Sequence, residues 1–145
     1  MLNVQRIDHV SFTVGELDRS IAFYQRFGLE PFKSYVSAGP EVDEGADTPN
    51  ADMNIVWLRQ PGERVMLELI RYVHHPAEPS AHNSKVGAAH LCFAVDDVYG
   101  AYDQLSAEGV QFLSPPHEDE FGLRWVYLRD PDGNAVELIQ DPPTG

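Results

Sequence analysis

The chain carries an internal duplication, and this constrains its fold more than any other feature. Residues 7–32 align with residues 88–113 without a gap, at a constant offset of 81. His9 falls on His90, Phe12 on Phe93, Val14 on Val95 and Gly28 on Gly109. Both copies open with period-two alternation, the signature of a strand with one greasy face. Val10, Phe12 and Val14 oppose His9, Ser11 and Thr13; Leu91, Phe93 and Val95 oppose His90, Cys92 and Ala94. A helical spacing follows, with Leu17, Ile21 and Tyr24 matching Val98, Tyr102 and Leu105. Gly28 and Gly109 then stand where a left-handed helix cap is required. Each copy therefore reads as a strand and then a helix that covers the greasy face.

The later parts of the copies also match. Val56–Pro61 and Val126–Pro131 share four of six residues, and Glu68-Leu69-Ile70 returns as Glu137-Leu138-Ile139. The offset has by then fallen to 70 and 69, so the first copy holds about 11 extra residues, which lie in the loop 36–52. Pro131-Asp132-Gly133-Asn134 predicts a tight hairpin turn, with Pro61-Gly62-Glu63 as its counterpart. The expected organisation is α+β: one domain over 1–145, with a first strand–helix–strands module at 5–72, a connection at 73–87 and a second module at 88–141.

Composition narrows the partners. A formal net charge of −13 repels phosphate backbones and anionic lipid, which argues against nucleic-acid and membrane binding. No apolar run approaches the roughly 20 residues needed to span a bilayer, and the N-terminal residues lack a secretory pattern. Cys92 is the only cysteine, so no internal disulfide forms, which agrees with a cytoplasmic setting.

The chemistry concentrates at two repeated positions. His9 and His90 open the first strands on the face turned away from the helix; Glu68 and Glu137 interrupt apolar runs in the last strands. A lone strand histidine more often satisfies an ordinary surface or core position. Four coincidences at equivalent places favour a metal instead. Two imidazoles and two carboxylates suit a divalent Zn, Ni, Co, Mn or Fe ion if the copies bring all four together. His74-His75, His82 and the run His117-Glu118-Asp119-Glu120 lack ligand spacing and read as solvated loops, the last a possible lid. Cys92 shares the polar face with His90, where it either lines a cavity or, by default, is a small buried thiol; Arg71, Arg124 and Lys85 are candidates for binding an anion and read at least as readily as surface charges.

The chain resembles the vicinal-oxygen-chelate superfamily, which includes glyoxalase I, methylmalonyl-CoA epimerase, extradiol dioxygenases and antibiotic-resistance proteins. The segments that carry the resemblance are Asp8-His9-Val10 with Asp18–Tyr24, His90-Leu91 with Val95-Asp96-Asp97, and Asp130–Asn134 running into Glu137-Leu138. It implies paired βαβββ modules forming an open, cup-like eight-stranded sheet around a metal, and a homodimer. The glyoxalase I ligand pattern of His, Glu, His, Glu matches His9, Glu68, His90 and Glu137. The resemblance thus implies a metal-dependent lyase or isomerase/epimerase that acts on a small substrate with vicinal oxygens through an enediolate or enolate. Glu68 or Glu137 would be the general base. Thr13 and Tyr72 stand where bacterial glyoxalase I has an arginine and an asparagine, which argues against glutathione as co-substrate. Two rivals stay open: an Fe(II) extradiol-type dioxygenase, with Glu68 outside the ligand set, and a non-catalytic drug- or metabolite-binding protein using Trp57, Tyr72, Trp125 and Tyr127 as stacking surfaces.

Overall fold

A computed structural model describes residues 1–79 and 82–142. The chain divides into two compact units, one ending at Glu78 and the other starting at Pro79. The first unit runs β1 (His9–Thr13), α1 (Leu17–Gln25), β2 (Glu30–Ser37), α2 (Pro40–Gly45), β3 (Met53–Arg59) and β4 (Met66–Tyr72). The second runs β5 (His90–Ala94), α3 (Val98–Ala107), β6 (His117–Glu118), β7 (Arg124–Arg129) and β8 (Ala135–Gln140). Each builds a four-stranded sheet, ordered β1-β4-β3-β2 in one and β5-β8-β7-β6 in the other. The class is α+β, and the eight strands arise as one arrangement used twice.

In both units the first strand runs parallel to the last, while the remaining pairs are antiparallel. A parallel pair needs a crossover rather than a hairpin, and the helix with the two middle strands supplies it. The alternation read from sequence sets the faces. Phe12 and Val14 are buried, while His9, Ser11 and Thr13 are exposed. On β4, Leu67 and Leu69 are buried on the face opposite Glu68. Helix α1 closes the greasy side with Phe23 and Tyr24, the latter stacked 6.3 Å from the Phe12 ring. In the second unit Val98 and Leu105 of α3 are buried, as are Val126, Leu128, Val136 and Leu138 of the sheet.

The punctuation behaves as the sequence requires. Gly28 and Gly109 have φ of +75° and +83° just past their helices, and Gly62 and Gly133 both have φ of +87° in the β3–β4 and β7–β8 turns. Asp130 builds the second turn: its Oδ1 accepts from the Asp132 and Asn134 amides, and its Oδ2 from the Asn134 side chain.

Two segments differ from the reading of the sequence. The loop 36–52 is not wholly irregular: Val36 and Ser37 extend β2, and α2 forms behind Pro40. Asp43 then fixes the descent into β3 by accepting from the Asn50 and Ala51 amides. His117 and Glu118, expected in a solvated loop, form the edge strand β6. It pairs with β7, and an ion pair of 2.7 Å joins Glu118 to Arg124. Two residues are too few to show a period, so this strand left no mark in the sequence. Of the 73–87 connection, residues 80 and 81 lie outside the described residues.

Candidate metal centre

Register, rather than proximity in sequence, brings the repeated groups together. In the first unit Ser11 of β1 lies opposite Glu68 of β4, which puts His9 one turn of the pleat away on the same face. His9 Nε2 sits 3.6 Å from Glu68 Oε2. In the second unit Cys92 lies opposite Glu137, and His90 Nε2 sits 3.1 Å from Glu137 Oε2. Two donors bound to one ion at about 2.1 Å stand roughly 3.0–3.5 Å apart; the His90–Glu137 pair has that spacing and the His9–Glu68 pair is slightly wider. Among the described residues, no group of three or more His, Cys, Asp or Glu is placed to hold a metal ion. Each unit sets one imidazole beside one carboxylate.

The histidine of the first unit is oriented from behind. Its Nδ1 lies 3.2 Å from Asp8 Oδ1. An ionised carboxylate only accepts, so Nδ1 donates to Asp8, which turns Nε2 toward Glu68. The His9 hydrogen bond, together with that of Arg6 at 2.6 Å, holds the Asp8 carboxyl below its ordinary range. The Trp57 ring, 4.9 Å from the imidazole, limits its rotation on the other side.

The two carboxylates are held differently. Glu68 is 7% exposed and takes a 2.9 Å hydrogen bond from the Ser11 hydroxyl. Glu137 is more open, its side chain 17% exposed. Two neighbours donate to it: the Cys92 thiol and the Tyr127 phenol. Burial, followed by the Glu137 charge and hydrogen bond, pushes the Cys92 thiol up to about 11. The same causes in the same order raise Tyr127. Both therefore stay protonated near neutral pH and act as donors to the carboxylate. The Tyr127 ring also packs edge-on against His90 at 5.3 Å.

Sequence reasoning singled out the four repeated groups but missed Asp8 and Ser11; its default of a buried thiol for Cys92 is corrected, since that residue is exposed on the polar strand face, and it weighed Tyr127 as a stacking surface or ordinary core. The signal was available: Ser11 and Cys92 sit two residues after their histidines, on the same strand face. His74 and His75 are engaged elsewhere. His74 bonds Asp52 at 3.1 Å and His75 bonds the Pro49 carbonyl, so they tie down the segment before β3. A cleft of about 390 Å³ in the second unit, lined by residues that include Asp96, Arg124 and Asp141, contains neither His90 nor Glu137.

Comparison with known proteins identifies the family. A 2-epi-5-epi-valiolone epimerase from an Actinomyces species is 33% identical over 146 residues, covering 94% of this chain and 79% of its own. The metallothiol transferase FosB of Lysinibacillus sphaericus is 27% identical, covering 94% and 83%. A glyoxalase family protein from Bacillus cereus superposes with a TM-score of 0.85 over 97% of both chains at 22% identity, a likeness of fold. The sequence profile of one family spans residues 6–138. With duplicated modules, repeated His/Glu positions and that match, the chain belongs to the Glyoxalase/Bleomycin resistance protein/Dioxygenase superfamily.

Proposed function

We propose that this protein is a divalent-metal-dependent enzyme of the glyoxalase type, a lyase or isomerase/epimerase that moves a proton at a carbon next to a carbonyl. The ion would be held by His9, Glu68, His90 and Glu137, the two pairs meeting within one chain or across two copies in a homodimer. The observation that carries this reading is the pair of His Nε2 to Glu Oε2 separations, 3.6 and 3.1 Å, at equivalent register in two sheets. The Asp8 carboxylate behind His9 adds the support that metal-bound imidazoles customarily have. A bound ion would supply Lewis acidity to the paired oxygens of a small substrate.

This chain's own residues divide the remaining work. His9 and His90 are fixed ligands. Glu68, buried and tied to Ser11, is a fixed ligand as well. Glu137 is the more accessible carboxylate and the better candidate for general base, taking the substrate proton on a carboxylate oxygen. The Cys92 and Tyr127 donors stabilise its charged form between turnovers.

Elemental analysis of protein purified without added metal is expected to find a divalent ion. His9→Ala and His90→Ala should each lose it. Glu137→Gln should slow solvent deuterium exchange into a bound substrate by 100-fold or more, on the order of a lost general base. Full metal content in both histidine variants would exclude the ligand assignment; exchange at the wild-type rate in Glu137→Gln would exclude that residue as the base.

A further inference from the structure

One row of residues crosses the whole sheet of the first unit. Ser11 on β1 pairs with Glu68 on β4, Glu68 with Trp57 on β3, and Trp57 with Lys33 on β2. Directly paired residues share a face, so Lys33 stands on the face that carries His9 and Glu68. Contacts follow the row. The Lys33 ammonium lies 5.6 Å from the centre of the Trp57 ring and 5.0 Å from that of Tyr35, within reach of their negative faces. The same Trp57 ring touches the His9 imidazole at 4.9 Å. A single indole therefore separates the candidate ligand from the cation.

The chain has 23 acidic residues against 10 basic ones. Arg6 and Arg124 are paired with carboxylates, and Arg71 lies 3.9 Å from Glu16. Lys33 instead lies over two ring faces, and Arg59 over that of Phe32; of these two, only Lys33 stands in the row with Trp57 and Glu68. Ring faces hold an ammonium by its charge and leave N–H donors for an incoming acceptor. Trp57 adds a second donor in the same row, an indole N–H that is buried without an acceptor among the described residues. The second unit has no counterpart. There the row is Cys92, Glu137 and Tyr127, and the short β6 pairs with β7 only at His117–Trp125 and Glu118–Arg124.

We propose that Lys33, seated on the Tyr35–Trp57 shelf, is the anion-recognising residue of the site, and that the ligand is an organic oxyanion whose charged group docks on Lys33 while its paired oxygens reach the His9–Glu68 pair. This rests on the metal reading above and names the substrate class within it. The net charge of −13 repels a free anion at long range, so a local cation beside the site favours its capture.

The test uses three probes with one chelating group: succinic monohydroxamic acid, its phosphonate analogue and its neutral methyl ester. With cobalt-loaded protein, the cobalt absorption bands report binding independently of turnover. Wild-type protein should bind one or both acids about tenfold more tightly than the ester, the scale of one charge-assisted hydrogen bond. Which acid is preferred tells carboxylate from phosphate. Lys33→Met should abolish the preference while leaving ester affinity unchanged, and Lys33→Arg should keep it. Equal affinity for all three probes in wild-type protein would overturn the proposal, as would an unaltered preference in Lys33→Met. If no probe perturbs the cobalt bands, the metal reading fails instead. The anion reading is then decided by the Trp57 indole NMR resonance of metal-free protein titrated with succinate: a shift lost in Lys33→Met upholds it, and no shift refutes it.

Discussion

A metal-type ligand is only as good as the groups that hold it. Ser11 donates to Glu68 from the neighbouring strand at 2.9 Å, and removing that hydroxyl frees the carboxylate to rotate. Ser11→Ala is expected to weaken metal binding by about 10-fold or more, the usual cost of losing such a support, as measured by competition with a chromophoric chelator. Unchanged affinity would reduce Ser11 to a passive neighbour. Cys92 permits a test by pH. An ordinary thiol ionises near about 8.5, whereas this one is held up to about 11. The thiolate is the reactive form, so iodoacetamide labelling of metal-free protein should stay slow until the pH nears that value. An acid whose native pKa is raised favours the fold below its unfolded pKa, and that contribution fades as pH climbs through the native one. Glu137→Gln removes the charge but not the burial, so the onset of labelling should move down without reaching that of a free thiol. Onset near 8.5 in the wild type would show that the thiol is not desolvated against Glu137. The four repeated groups were visible in the sequence because duplication marks what it copies. Asp8 and Ser11 are not duplicated, since Ala89 and Cys92 replace them; the spacing from His9 places Ser11 on the right face, but which carboxylate it supports emerges only once the strands are paired.

At the scale of elements, the β7–β8 turn shows how a motif earns its composition. Asp130 is 4% exposed and gathers three hydrogen bonds from the residues that reverse the chain. Asp130→Ala would leave those donors with poorer partners, and a loss of about 1–3 kcal/mol is expected from urea unfolding. A change below about 0.5 kcal/mol would place it among ordinary surface substitutions. Helices, turns and the β1/β5 alternation were legible because each rests on a local period or on a glycine. Strand β2 was harder to read. All but its last residue are exposed, so no greasy period marks it, and its Lys33 acquires meaning only through the pairing with Trp57. Helix α2 has no buried residue at all. Its short span lay hidden in a loop rich in glycine, proline and acids.

For the whole molecule, the proposed metal would link charge to stability. Glu68 and Glu137 are part of the formal charge of −13, and a divalent ion beside them would offset it locally. Chelation with EDTA is expected to lower Tm, and restoring zinc to raise it again. At a hundredfold excess over the dissociation constant the gain is about 2.7 kcal/mol. Since each unit contributes one imidazole and one carboxylate, His9→Ala and His90→Ala should each forfeit most of the gain. A variant that keeps the full increase would show that its unit takes no part. Among the described residues no helix is long and apolar enough to cross a membrane.

The parallel pairing of the first strand with the last has a kinetic corollary. Ser11 and Glu68 are 57 residues apart in the chain, and closing so long a loop is slow and costly in entropy. The imidazole and the carboxylate become neighbours only when that loop has closed. An ion held as proposed, needing both, would recognise a finished unit but not hasten its assembly; it would act as a latch, lengthening the life of the native state by slowing escape from it.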